Sequence, residues 1–169
     1  MTDAAIRTAT ESDWPQIWPF WQRIVADGET YAYPEDFTSE QARTAWLVDG
    51  IGPGAGTAVV LEEDGRILGT ARMGPNRPGR GAHVGTASFM VDDSVRGRGI
   101  GRRLAEYVIQ WHRDNRYRAI QFNAVVETNV AAIRLWESLG FRIVGTVPGA
   151  FRSRRHGYVG LHVMLLSLD

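Results

Sequence analysis

One segment limits the folds open to this chain more than any other. It is Val91-Asp-Asp-Ser-Val-Arg96-Gly97-Arg98-Gly99-Ile100-Gly101-Arg102-Arg103-Leu104. A strand-forming run from Val84 leads into it, and a helical stripe of Leu104, Val108, Ile109 and Trp111 leads out. A strand must therefore hand over to a helix through a turn with glycine at three alternate positions. Such glycines let the backbone approach a ligand closely and turn its amides inward. The helix start adds free N–H groups and partial positive charge. Together they make a site for a phosphate or pyrophosphate, with Arg96, Arg98, Arg102 and Arg103 supplying full charge around it. A dinucleotide fingerprint does not fit. Counted from Gly97 or Gly99, its last glycine position holds Arg102 or Leu104.

Composition removes competing chemistries. The 169 residues suit one domain, and they contain no Cys and no Lys, so all 19 basic residues are Arg. Without Cys there is no disulfide scaffold, thiolate zinc site or cysteine acyl-enzyme. Without Lys there is no Walker A loop, Schiff base or PLP lysine. The four His (His83, His112, His156 and His162) form no metal-binding helix pair, and no metal is expected. No apolar run reaches 18 residues, and no basic stretch followed by an apolar one opens the chain. A soluble, cytoplasmic protein without a membrane partner is the expectation. Nucleic acid is not an expected partner either, because net charge is zero and no nucleic-acid motif occurs. That zero is a balance of opposites. Residues 1–65 carry 3 Arg against 12 acidic residues, and residues 66–169 carry 16 Arg against 7. The two parts should meet different partners.

Patterning predicts strands at Ala4–Arg7, Ala58–Glu62, Arg66–Gly74, Val84–Val91, Ala119–Val126, Phe141–Val147 and Tyr158–Leu166. Helices are expected from about Trp14 to Ala26, from Thr38 to Val48, from Gly99 to Asn115 and from Asn129 to Leu139. Gly50–Gly56 reads as a mobile loop, and His112 as a solvated residue late in a surface helix. The order β α α β β β α β α β β belongs to an α/β or α+β sheet domain spanning residues 1–169.

Arg96-Gly-Arg-Gly-Ile-Gly101 resembles the Arg/Gln-x-x-Gly-x-Gly/Ala signature of the GNAT N-acetyltransferase superfamily. Downstream, Asn129-Val-Ala-Ala132-Ile-Arg-Leu135-Trp136-Glu-Ser-Leu-Gly140-Phe141 resembles that family's Asn-x-x-Ala-x-x-Leu-Tyr-x-x-x-Gly-Phe segment. The resemblance runs from Ile6 to Leu166. Residues Glu29–Trp46 look like the first-helices region of the phosphinothricin-type and amino-acid N-acetyltransferase branch.

The resemblance implies a mixed central sheet whose fourth and fifth strands splay to form an acyl-CoA cleft. It implies acetyl transfer from acetyl-CoA, as cosubstrate, to the amine of a small molecule or exposed peptide. The backbone of Arg96, Gly97, Arg98, Gly99, Ile100, Gly101 and Arg102 would hold the pyrophosphate, and Met90 and Val91 the pantetheine arm. Asn129 would sit beside that arm or the amine, and would also cap a helix. Two positions depart from the pattern. Trp136 replaces the usual Tyr, and an indole N–H is no practical acid. It becomes a pocket wall, and Tyr31, Tyr33 and Tyr158 become the candidates for protonating the thiolate. Thr86 stands where the phosphinothricin-type branch has a catalytic Glu. Glu127 is then the first candidate base, Glu29 the second, with His83 and Asp92 behind them and a water relay as the alternative. Glu29, Tyr31, Tyr33 and Asn123 are the expected acceptor contacts. An acidic rim from the N-terminal half would favour a cationic acceptor. A homodimer through exposed strand edges is a further expectation, and a non-catalytic acyl-CoA-binding module is the competing function.

Overall fold

The computed structural model describes residues 4–49 and 56–169. All but the last residue of the glycine-rich stretch Gly50–Gly56 lies outside the described residues. Seven strands form one sheet in the order β1-β2-β3-β4-β5-β7-β6. They are β1 (Ala5–Thr8), β2 (Thr57–Glu63), β3 (Arg66–Pro75), β4 (Val84–Val91), β5 (Ala119–Val126), β6 (Arg142–Ser153) and β7 (Gly157–Ser167). The helices are α1 (Trp14–Asp27), α2 (Ser39–Arg43), α3 (Ile100–Asp114) and α4 (Val130–Ser138). The element order is the expected one.

Each helix exists because it has an apolar face to bury. On α1, Trp14, Ile17, Phe20, Trp21 and Val25 recur at helical spacing and pack with Trp46, Val60, Ile67 and Met90 on one face of the sheet. On α3, Ile100, Leu104 and Val108 cover Leu61, Leu68, Ala71 and Met73 on the other face. The same helix joins α4 through Ala105, Ile109 and Trp136 over Ile120, Phe122 and Met164. A sheet with helices on both faces shields most of its strands from water.

Three details differ from expectation. The second helix is α-helical only to Arg43, and Thr44–Val48 is a π-turn closed by Asp49 N–H to Thr44 O at 2.8 Å. The wider turn seats buried Trp46 with its indole N–H on Thr70 Oγ1 (3.1 Å), while the Arg72 guanidinium takes the Ala45 and Asp49 carbonyls. Strand β6 runs on to Ser153, because Pro148-Gly149 falls in an irregularity of an edge strand, where a missing N–H costs no ladder bond. Its exposed Ile143, Val144 and Val147 mark the edge to which the dimer expectation refers. His112 is fully buried rather than solvated.

Candidate active site

Strands β4 and β5 form the one parallel pair in the sheet, and they pair only at Val84↔Ala119 and Gly85↔Ile120. Beyond those residues they part. In the β3–β4 ladder, Asp92 N–H donates to Leu68 O and Asn76 N–H to Val84 O. Even-numbered residues of β4 therefore spend their backbone groups on β3, and Ala87, Phe89 and Val91 turn theirs toward the side β5 has left. Strand β5 has its own irregularity between Phe122 and Val125, which carries Asn123 into the opening. The result is a cavity of about 1060 Å³ between the two strands, with Gly101, Trp136, Tyr33 and Arg155 among its lining residues.

The start of α3 closes one end of it. Gly97 (φ 79°) and Gly99 (φ 75°) are in the left-handed region, which the alternate glycines permit. The amides of Gly97 to Arg102 find no acceptor among the described residues, and the first return bond is Arg103 N–H to Gly99 O at 3.1 Å. Arg96 lines the cavity, and its side chain has no partner among the described residues. The other arginines turn away. Arg98 pairs with Glu63 (2.6 Å), Arg102 donates to Ser138 Oγ (2.7 Å), and Arg103 donates to Ala4 O (2.6 Å). What this end of the cavity offers an anion is therefore backbone amides, the helix terminus and one guanidinium. Met90 and Val91 also divide. Met90 is core, with its backbone on β3, while Val91 lies on the open edge.

The wall beyond is aromatic. Trp136 lines the cavity, 4.9 Å from Phe89 and 4.8 Å from Phe122, centroid to centroid. Asn129 lines the cavity and also caps α4, accepting Ala132 N–H at 3.4 Å. Asn123 lines it too, with Nδ2 on Asn76 Oδ1 at 2.6 Å. Tyr31 donates to Phe89 O (2.5 Å) and accepts from Phe89 N–H (2.9 Å), so its hydroxyl replaces the rung that β5 no longer supplies. Burial raises the Tyr31 phenol above its ordinary value, which makes it a poorer acid. Tyr33 stacks on Tyr31 at 5.8 Å and lines the cavity beside it.

The base candidates fare differently. Glu127 does not line the cavity, and its Oε1 accepts Gly160 N–H at 2.5 Å. Glu29 does not line it either. Its Oε2 accepts Ser153 Oγ–H (2.7 Å) and its Oε1 accepts Arg155 N–H (2.9 Å), and the Ser153 bond leads in holding its carboxyl below the usual range. Asp92 is bound by Arg66 (2.8 Å) and Arg23 (3.2 Å). Burial would raise its carboxyl, but the Ser94 amide and Arg66 outweigh that and hold it low. His83 is exposed away from the cavity, and Tyr158 is 76% exposed at the hairpin. The carboxylates on the wall are Asp27 and Asp93, paired with Arg155 (2.8 Å) and Arg23 (2.8 Å). The acidic rim is therefore neutralised by arginine.

Sequence reasoning missed Asp27, Thr30, Ser88, Phe89, Phe122 and Arg155 as wall residues. The period of two along β4 and β5 was a usable signal for Phe89 and Phe122. Nothing local pointed to Arg155.

The acetyltransferase (GNAT) family matches residues 17–141. This chain belongs to the GNAT acetyltransferase family. It is 38% identical over 98 residues to the N-acetyltransferase aca1 of Schizosaccharomyces pombe, covering 57% of this chain and 47% of that one. It thus spans about half the length of that relative. It is 32% identical over 170 residues to the L-methionine sulfoximine/L-methionine sulfone acetyltransferase of Pseudomonas aeruginosa, covering 98% and 95%. The solved structure of a GCN5-related N-acetyltransferase from Kribbella flavida is 53% identical, with a TM-score of 0.91 over 98% of both chains. Within this GNAT chain, Trp136 and Thr86 remain the two departures from the expected pattern.

Proposed function

We propose that this chain transfers the acetyl group of acetyl-CoA to the primary amine of a small molecule, by direct attack in a ternary complex. One observation carries the reading. Gly101, in the row of free amides from Gly97 to Arg102, lines the same cavity as the edge of β4 that β5 leaves. The amides, the α3 terminus and Arg96 suit a pyrophosphate, the Val91 edge suits an amide-bearing arm, and the Phe89–Phe122–Trp136 wall suits a short acyl group.

Acetyl-CoA supplies an acyl carbon already activated as a thioester. The protein contributes position and polarisation. The β4 edge and the aromatic wall orient the carbonyl, and Asn129 and Asn123 line the approach of the amine. The amine nitrogen bonds to the carbonyl carbon as the C–S bond breaks, and the thiolate takes a proton. Both wall carboxylates are held by guanidinium groups, so water takes the amine's proton and returns one to the thiolate. The Pseudomonas relative acts on small amino-acid analogues by its name, which supports a small acceptor of that kind here.

The test is thiol release from acetyl-CoA across amino acids, polyamines, aminoglycosides and peptides. Turnover with small amines is expected. Acetyl-CoA binding without turnover of any amine would instead establish the acyl-CoA-binding module, the reading that Thr86, Trp136 and the paired wall carboxylates favour.

A further inference from the structure

The β6–β7 hairpin crosses to the end of α1 and is fastened there. Arg154 N–H donates to Gly28 O (3.1 Å), and its side chain pairs with Glu35 (2.7 Å). Glu29 takes Ser153 Oγ–H and Arg155 N–H, and Ser153 Oγ also receives Arg155 N–H (3.2 Å) and His156 N–H (2.9 Å). This clasp fixes the backbone of Arg155 against the cavity.

Three guanidinium groups line that cavity. Arg23 is spent on Asp92 and Asp93. Arg96 belongs to the anion site at α3. Arg155, contributed by the β6–β7 hairpin, is the third. Among the described residues its side chain makes one hydrogen bond, Nη2 to Asp27 Oδ1 at 2.8 Å. A guanidinium carries five N–H donors, so most of its capacity is open, and its planar fork matches a carboxylate. A fixed backbone and a steering carboxylate lower the entropy lost on binding.

We propose that Arg155 binds the carboxylate of an amino-acid acceptor, and that Glu29 is the positioning residue that holds Arg155 in place. This rests on the acetyltransferase reading and narrows its acceptor to amines that carry a carboxylate. It replaces the cationic acceptor that the charge split suggested.

The probes are L-methionine sulfone and its α-carboxamide, with acetyl-CoA as donor and kcat/KM as readout. The wild-type protein should prefer the carboxylate roughly 10–100-fold, the range of a hydrogen bond to a charged group. Arg155→Ala should abolish that preference, and Arg155→Lys should restore part of it. Glu29→Ala should lower the preference, and Glu29→Gln should recover some of it. Arg154→Ala disturbs the same hairpin without lining the cavity, and should weaken both probes alike. Equal losses on both probes in Arg155→Ala, or no preference in the wild type, would overturn the proposal. Acetyl-CoA binding by calorimetry without turnover of either probe would overturn it too and leave the cosubstrate site standing. Failure of the wild type to bind acetyl-CoA would bring down the acetyltransferase reading itself.

Discussion

At Glu127 the carboxylate Oε1 meets the Gly160 amide at 2.5 Å, and the Gly160 backbone returns the contact by accepting Glu127 N–H at 3.0 Å. The side chain ties the end of β5 to β7 rather than facing the cavity. Glu127→Gln keeps an acceptor, so its kcat/KM and pH profile should stay within about twofold of wild type. Glu127→Ala leaves Gly160 N–H unpaired and should cost about 1–2 kcal/mol in urea unfolding. A hundredfold loss in kcat for the Gln variant would restore Glu127 as the base. His112 sits over Gly85, with Nδ1–H donated to Val108 O at 2.7 Å, and a Cβ at Gly85 would collide with its ring. Gly85→Ala should destabilise the protein by about 2–3 kcal/mol. Burial pushes the His112 imidazole below its ordinary value. The unfolded chain then takes up a proton at a pH where the folded chain does not. Stability should be full above about pH 6.5 and fall as pH drops below it. A urea midpoint that stays flat between pH 8 and pH 5 would count against this.

Each element shows how far local pattern reaches. The Gly97–Gly101 loop was legible because its requirements are local: positive φ, a helix start and a strand end lie within a few residues. The helices were legible through their apolar stripes. The individual arginines were not. Arg98 and Arg102 look alike in sequence to Arg96, yet Glu63 and Ser138, distant in the chain, decide where they point. Arg96→Ala should therefore raise KM for acetyl-CoA about 5–30-fold, while Arg98→Ala should change it less than about twofold. Equal effects would mean that the two side chains share the anion. The clasp was hidden for the same reason. The resemblance made Glu29 an expected acceptor contact, and only the folded chain brings Ser153 and Arg155 to it.

Across the whole molecule, a few of the opposed charges of the two parts of the chain are spent on each other. Asp27, Glu35 and Glu63 from the acidic part meet Arg155, Arg154 and Arg98 from the basic part, and Arg23 meets Asp92 and Asp93. Exposed pairs of this kind contribute about 0–1 kcal/mol each, so their value is more in orientation than in stability. Ser153 and the Arg155 amide hold the Glu29 carboxyl low, and Arg7 holds Asp13 down at about 2. A lowered carboxyl stabilises the fold above its unfolded value and loses that contribution as pH falls through the folded value. The hairpin should stay fastened at pH 5 and loosen below about pH 4. Amide exchange at Arg154 and Arg155 should rise in that window, and should rise further in about 1 M salt, where exposed ion pairs are screened. The clasp also sets an order of assembly. Arg155 and Asp27 are 128 residues apart in the chain, so closing that contact costs more loop entropy than any local turn. The β2–β3 hairpin and the Gly97–Gly101 loop can form from neighbouring residues, whereas the Arg155 side of the cavity must wait for β6 and β7 to dock. In refolding, Arg155 and the hairpin around it should gain protection after the Gly97–Gly101 loop.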